Sequence, residues 1–499
     1  MQQQSSLYAS QYHKKGLVSL LMLLLVLTGF ILVQRPDDTS RPNIILIIGD
    51  DISAEDIGCY GNAKIRTPNL DLMAKEGMRF TNFYLTTSSC SPSRSSILTG
   101  RYPHNTGAAE LHTALPAHLD FFPELLKKSG YFTALLGKWH EGAATRRAYD
   151  TLLVDRKANG EGGEEQWINI LRARPKNKPF FFWLAPYDAH REWSTKGFHN
   201  RHDPLTDVIV PPTLADTKET RQDLASYYNE ISRIDYYLGQ LMAELVRQGI
   251  ADNTLILFMA DNGRPFPGSK TRMYDTGMRT PFVLKWPKGI KSKGTVCESM
   301  VSSIDIAPTL LHLAGATPSA TIQGVNFSRL INQPEAPFRT HVFSEHNWHD
   351  YSAYERAVRT KEYLYLINRR PELTNEGPID ANQSPSARAL KAARADGHLS
   401  PIQKDIFLSP RPTEEFFDCN LDPIQQKNVI FLPRYAKEVA KLRRILKQWQ
   451  TSTGDTFPKH LTADWYDRET GQALPSKDQR GEMPGKSSKA DKINNKGPF

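Results

Sequence analysis

Asn43-Ile44-Ile45-Leu46-Ile47-Ile48, followed by Gly49-Asp50-Asp51, is the stretch from which the fold can be read. A short unbroken apolar run rich in β-branched residues fits a strand buried on both faces, as in a parallel sheet covered by helices. Thr254-Leu255-Ile256-Leu257-Phe258-Met259-Ala260 has the same character and ends in Asp261-Asn262-Gly263. Tyr131 to Leu136 leads into Gly137-Lys138-Trp139-His140, and Pro179 to Ala185 into Pro186-Tyr187-Asp188-Ala189-His190-Arg191. Open α/β sheets build their sites at the carboxyl ends of strands, so these polar clusters are expected to converge.

Helical patterns alternate with these runs. Thr67 is the expected cap of a helix from Pro68 through Met73 to Glu76. Leu224, Tyr227, Ile231, Ile234, Leu238, Leu241 and Leu245 mark one face of a helix over Asp223 to Gln248, and Gly249 stops it. Asp305 to Leu313 is another. Alternation up to about residue 330 predicts an α/β fold with a large, mostly parallel sheet sandwiched by helices. Beyond it, His341-Val342-Phe343, Tyr363 to Leu366 and Glu415 to Asp418 predict a small antiparallel sheet, closed by a helix over Tyr435 to Trp449. The resulting division is a leader and linker over 1–41, an α/β domain over 42–335, and a smaller α+β domain over 336–455. A basic tail over 456–499, poor in apolar residues, is expected to be disordered.

Asp50, Asp51, Asp261 and Asn262 offer four hard oxygen-bearing side chains from two strand ends. That set suits a hard divalent cation, calcium above all, which tolerates crowded oxygen shells. One Asp after one strand is ordinarily a turn or cap residue. Two such pairs on strands flanking a candidate nucleophile point to a metal.

The candidate nucleophile is Cys90, in the run Cys90-Ser91-Pro92-Ser93-Arg94-Ser95-Ser96-Ile97-Leu98-Thr99-Gly100. Cys-x-Pro-Ser-Arg followed by Leu-Thr-Gly resembles the signature of the formylglycine-dependent sulfatases of the alkaline-phosphatase superfamily. Gly137-Lys138-Trp139-His140, the Pro186-x-x-x-His190 loop and Lys270-x-x-x-Tyr274-x-x-Gly277 match further blocks of that family in order. The resemblance runs from about Pro42 to about Trp449. It implies that Cys90 is oxidised to formylglycine (3-oxoalanine) by a maturation enzyme, and that one hydroxyl of the hydrated aldehyde attacks sulfur. It further implies that Asp50, Asp51, Asp261 and Asn262 bind the metal, with modified Cys90 placing one oxygen on it. Arg94 and Lys138 would hold the diol oxygens and His140 would act as the base that collapses the diol. Lys270 and His190 would bind the sulfate, with His190 as proton donor to the leaving group. Ala189 departs from the Pro usual before that histidine.

Within the family the chain is most similar to the sulfamidases (N-sulfoglucosamine sulfohydrolases). The carrying segments are Ser88 to Arg94, Asp188-x-His190-Arg191, and Asp261-Asn262-Gly263-Arg264-Pro265-Phe266-Pro267. Ser344-Glu345-His346-Asn347-Trp348-His349 and Arg356-Ala357-Val358-Arg359 add to them. The sulfamidases carry Arg where Lys270 stands. The resemblance implies a sulfated oligosaccharide or polysaccharide substrate, with the sulfate on oxygen or nitrogen. His346, His349 and Asp350, interleaved with Trp348 and Tyr351, are expected to form a polar loop over the sheet edge that reads the sugar ring.

The net charge of +9 loosely fits a polyanionic substrate; a third of it lies in Lys477 to Phe499, with six basic and three acidic residues. No aromatic-basic platform points to nucleic acid. Lys14-Lys15 precede an apolar stretch from Gly16 to Val33, broken by Ser19 and Thr28. This is a signal peptide or an uncleaved membrane anchor, and either places the catalytic domain in the periplasm or outside the cell. With Cys90 modified, Cys59, Cys297 and Cys419 allow at most one disulfide. Two other readings stay open: a phosphate or phosphonate ester hydrolase of the same superfamily, and a non-catalytic polysaccharide binder with Cys90 unconverted.

Overall fold

The computed structural model of the chain describes residues 41–194, 201–486 and 489–495. The expected signal or anchor segment lies outside them. Among the described residues no helix is long and apolar enough to cross a membrane.

The described residues from Pro42 onward form one compact unit. Its strands are β1 (Asn43–Gly49), β2 (Met78–Phe80), β3 (Phe83–Tyr84), β4 (Phe132–Gly137), β5 (Thr151–Leu153), β6 (Phe180–Ala185) and β7 (Thr254–Ala260). They continue with β8 (Phe282–Lys285), β9 (Thr295–Cys297), β10 (Val301–Ser302), β11 (His341–His346), β12 (Glu355–Thr360), β13 (Tyr363–Asn368) and β14 (Glu414–Asp418). The main sheet has eight strands in the order β5-β4-β6-β1-β7-β8-β2-β9. It is parallel except around β8, which runs antiparallel to β7 and β2. The second sheet, β11-β12-β13-β14, is antiparallel throughout. Both sheets agree with the architecture expected from the sequence.

Alternation along the central strands builds two cores, one on each face. Ile44, Leu46 and Ile48 of β1 join Leu255, Leu257 and Met259 of β7 in one; Ile45 and Ile47 join Ile256 and Phe258 in the other. The helices used below are α1 (Pro68–Glu76), α2 (Cys90–Thr99), α3 (Lys218–Arg247), α4 (Ile306–Leu313) and α5 (Ala436–Thr453). The apolar stripe of α3 fills the second core, and α2 and α4 pack into the first. The small sheet shares the first core through Val342, Ala357, Leu364, Leu366 and Phe417, so it is fused to the large sheet rather than separate from it.

Two expectations need correction. Thr67 does not cap α1; its hydroxyl accepts from the Gly58 N–H at 3.0 Å. The free N–H groups of Asn69 and Leu70 go instead to the Asp235 carboxylate of α3, at 3.2 and 2.7 Å. The described part of the tail is also ordered. Arg101 of the turn after α2 bonds the carbonyls of Asp491 and Ile493, and Asn105 donates to Ala490 O at 2.7 Å. Those carbonyls satisfy buried donors of the core, a kind of contact that apolar content does not register. Among the described residues Cys59, Cys90, Cys297 and Cys419 are free.

Candidate active site

Register brings the site together. Gly49 pairs with Ala260, so Asp50-Asp51 and Asp261-Asn262 leave adjacent strands side by side. The Asp50 N–H bonds Asp188 O at 2.8 Å just past β6, and the Lys138 N–H bonds Ala185 O at 2.7 Å just past β4. Four neighbouring strand ends, β4-β6-β1-β7, therefore deliver Lys138, His190, the two acidic residues and the Asp-Asn pair to one edge. Gly137 is required there: its φ is +91°, and a Cβ would lie 2.0 Å from Ala185 O. Asp51 (φ 59°) and Thr271 (φ 69°) both hold left-handed backbone beside the site, a strain that clusters at functional positions.

Cys90 opens α2, buried at its amino end. Its Sγ lies 3.9 Å from both Asp50 Oδ1 and Asp51 Oδ1, and Asn262 Nδ2 donates to it at 3.1 Å. Burial raises the thiol pKa and outweighs the opposing pull of Lys138 and Lys270, so unmodified Cys90 is a neutral thiol.

Each obligate cation is paired with a carboxylate. Arg94 Nε donates to Asp261 Oδ2 at 2.6 Å, Lys138 Nζ to Asp50 Oδ2 at 2.5 Å, and Lys270 Nζ to Asp51 Oδ2 at 2.7 Å. For Asp50, burial would raise the pKa, but Lys138, His190 and Arg94 together pull it below the usual range. Burial wins at Asp51 and Asp261, both pushed up to about 6 despite Lys270 and Arg94. These carboxylates are short of positive charge.

His140 is half-buried, and its pKa falls to about 2 through desolvation and then the Lys138 charge, so it is neutral at ordinary pH. Its Nε2 meets His112 Nδ1 at 2.8 Å. His190 Nδ1 donates to Arg191 O, which turns Nε2 towards Asp51 Oδ2 (4.0 Å) and Asp380 Oδ2 (3.6 Å). Burial and then Lys270 lower its pKa.

The C-terminal residues divide. His349 Nδ1 bonds Ser89 Oγ at 2.7 Å, next to Cys90; Ser89 precedes α2 but turns its hydroxyl to His349 instead of capping the helix. Asp350 accepts from the Ile379 N–H at 3.1 Å. His346 is buried beside a cavity of about 20 Å³, room for a single water. His346, Trp348, His349 and Asp350, expected to form a polar loop over the sheet edge, are all buried in this structure. His112 and Asp380, by contrast, stand at the site and were not anticipated. His112 lies in a turn without a motif, and Asp380 in a four-residue helix, Ile379–Asn382, far along the chain.

The residues at the strand ends fit a cation. Asp50, Asp51 and Cys90 place ligand atoms within 4.8 Å of one another. Asn262 Oδ1 is buried with no hydrogen-bond partner, an acceptor left free in the same cluster. Oxygen donors of this kind suit a hard divalent ion.

Comparison with known proteins agrees with this geometry. The sulfatase family model matches residues 42–316, and the model "N-sulphoglucosamine sulphohydrolase, C-terminal" matches residues 268–392. The human N-sulphoglucosamine sulphohydrolase is 30% identical over 84% of this chain and 92% of its own. An ulvan-active sulfatase of Formosa agariphila is 28% identical over 83% of this chain and 76% of its own. A solved structure in complex with its substrate D-glucosamine-2-N,6-O-disulfate superposes with a TM-score of 0.64 at 21% identity, covering 82% of this chain and 98% of that one. With the strand-end carboxylates, the buried cysteine and the surrounding cations in the matched region, the chain belongs to the sulfatase family.

Proposed function

We propose that this sulfatase removes sulfate, carried on oxygen or nitrogen, from a sulfated saccharide, with Cys90 in its formylglycine form and a calcium ion at the strand ends. The observation that carries this reading is Cys90 Sγ, 3.9 Å from both Asp50 and Asp51, inside a ring formed by Arg94, Lys138 and Lys270. The saccharide is supported by the relatives, whose names specify N-sulphoglucosamine and ulvan.

Asp50, Asp51, Asp261 and Asn262 would hold the cation, which supplies Lewis-acid polarisation of a sulfate oxygen. Formylglycine supplies, in hydrated form, a hydroxyl nucleophile and a second hydroxyl whose deprotonation releases sulfate. Lys138, Arg94 and Lys270 now neutralise the carboxylates; with a cation there, their N–H donors are available to the sulfate and the nucleophile. Neutral His140 accepts a proton. His190, its Nδ1 proton fixed on Arg191 O, carries the exchangeable proton at Nε2 for the leaving group, with Asp380 favouring the protonated ring. The apolar stretch Gly16–Val33 supports export, with or without anchoring.

The test has two measurements. Peptide mass at Cys90 should show sulfur and two hydrogens exchanged for one oxygen. The purified enzyme should release sulfate from a sulfated glucosamine and far less phosphate from an aryl phosphate. An unconverted thiol in fully active protein, or a preference for phosphate esters, would overturn the reading.

A further inference from the structure

The segment after Gly454 lies beyond both matched regions, 42–316 and 268–392. It nevertheless reaches the site. The Trp465 N–H donates to Asp350 O at 2.9 Å, and its indole lies 4.5 Å from that of Trp348. With Leu111 and Cys90, these two tryptophans form one apolar cluster.

Arg480 lies against both indoles. Its guanidinium carbon lies 4.4 Å from the Trp348 ring and 4.6 Å from the Trp465 ring. Nη2 donates to Leu111 O at 2.6 Å and Nη1 to Glu110 Oε2 at 3.3 Å, while Thr462 Oγ1 holds Glu110 at 2.7 Å. The segment is pinned by Trp465 Nε1 on Gln479 O and by the Gly481 N–H on Thr462 Oγ1. An arginine stacked this way is pre-organised, so it loses little side-chain freedom when it binds.

Its position is not that of a purely structural rivet. No protein acceptor faces Nε among the described residues, and 30% of the side chain is exposed. Its charge acts on His112 and Asp350, and His112 is the partner of His140. The outcome is a permanently charged donor, rigidly held, at the rim of the site.

We propose that Arg480 is a specificity residue that reads a second anionic group, a further sulfate or a carboxylate, on the saccharide beside the scissile sulfate. The proposal rests on the sulfatase reading for the identity of the site, but binding tests it separately. In full-length protein carrying Cys90→Ala, which cannot turn over, calorimetry would compare three probes. They are a singly sulfated glucosamine, a glucosamine with N- and 6-O-sulfates, and a singly sulfated glucosamine linked to a uronic acid.

Arg480→Gln should reduce the preference for one or both doubly charged probes by about ten- to a hundredfold, the value of a charge-assisted hydrogen bond. The probe whose preference falls identifies the anion as sulfate or carboxylate. Arg480→Lys, which keeps the charge but not the stacked fork, should retain most of that preference and guards against misfolding of the Gln variant. Unchanged preference ratios in both variants would overturn the proposal, whatever happens to overall affinity. Arg480-dependent binding in a wild-type protein that releases no sulfate would sink the sulfatase reading and leave the anion site standing.

Discussion

Buried Lys270 and half-buried Asp380 form an ion pair, Nζ to Oδ2 3.3 Å, linking the catalytic sheet to a short helix 110 residues further along the chain. The same carboxylate lies 3.6 Å from His190 Nε2. Asp380 raises the His190 pKa against burial and Lys270, which lower it. In Asp380→Asn the imidazolium should therefore lose its proton at lower pH. With His190 as the acid, the basic limb of the kcat profile should move to lower pH, and kcat/KM at neutral pH should fall about tenfold or more. A pH–rate series on wild type and variant checks this; an unmoved limb would remove Asp380 from the proton-transfer step.

Cys90→Ala and Cys90→Ser should each abolish multiple turnover, by roughly a thousandfold or more, because the chain has no second group there able to form a hydrated aldehyde. The side chain is small, and among the described residues its one polar donor is Asn262. The Tm should therefore stay close to that of the wild type. Steady-state sulfate release and a thermal melt separate the two readouts.

Asp261 has two roles that one substitution would expose together. It is a candidate cation ligand, and it is the direct partner of Arg94, whose Nη1 and Nη2 are buried without hydrogen bonds. Asp261→Ala should abolish activity and also cost about 3–5 kcal/mol of stability, as expected when one member of a wholly buried pair is removed. Exhaustive chelation of the wild type should abolish activity and lower Tm reversibly on calcium addition. Full activity in metal-free protein would refute the cation site.

Both Asp-x pairs, the Cys90 run and the blocks after β4 and β6 were readable in the sequence because each follows a strand whose apolar run is unmistakable. Register then does the rest, since parallel neighbours must end together. What was not readable came from elements with no such run. β12 (Glu355–Thr360) has three charged residues in six and no alternation of apolar with polar, yet it is buried on both faces. Arg356 is paired with Asp455 and Arg359 with Asp275, partners that no local pattern reveals. His112, Asp380 and Arg480 likewise reach the site through long-range contacts. The tail looks disordered by composition, but its described part is held by hydrogen bonds to core residues and by Trp465.

The Arg356–Asp455 pair gives a stability prediction. Nε and Nη2 of Arg356 bond the two Asp455 oxygens at 2.8 Å each, with both side chains fully buried. Burial alone would raise the Asp455 pKa, but Arg356 and then His104 hold it below its ordinary 3.8. A depressed folded-state pKa means the stabilisation is complete above the unfolded value and is lost as pH falls through the folded one. Asp455→Ala should cost about 3–5 kcal/mol at neutral pH. The Tm gap between variant and wild type should narrow in strong acid, as melts across pH would show.

His346 and His349, which sequence motifs suggest as one unit, should behave differently. His349 is bonded to Ser89, the residue before Cys90, so its loss frees the Ser89 hydroxyl beside the nucleophile. His349→Ala should lower kcat/KM by about tenfold or more on an aryl sulfate and on a sulfated saccharide alike. His346 ends β11 among Glu355, Arg411 and Arg356. Burial, opposed by Glu355 and reinforced by the two arginines, lowers its pKa to about 4 and keeps it neutral. The adjacent cavity of about 20 Å³ admits a water but no sugar. His346→Ala should therefore destabilise the fold by about 1–3 kcal/mol and change kcat/KM on either substrate by less than about threefold. Thermal melts and parallel kinetics on both substrates decide the matter. A His346 variant of normal Tm that loses saccharide turnover selectively would place it in the sugar pocket after all.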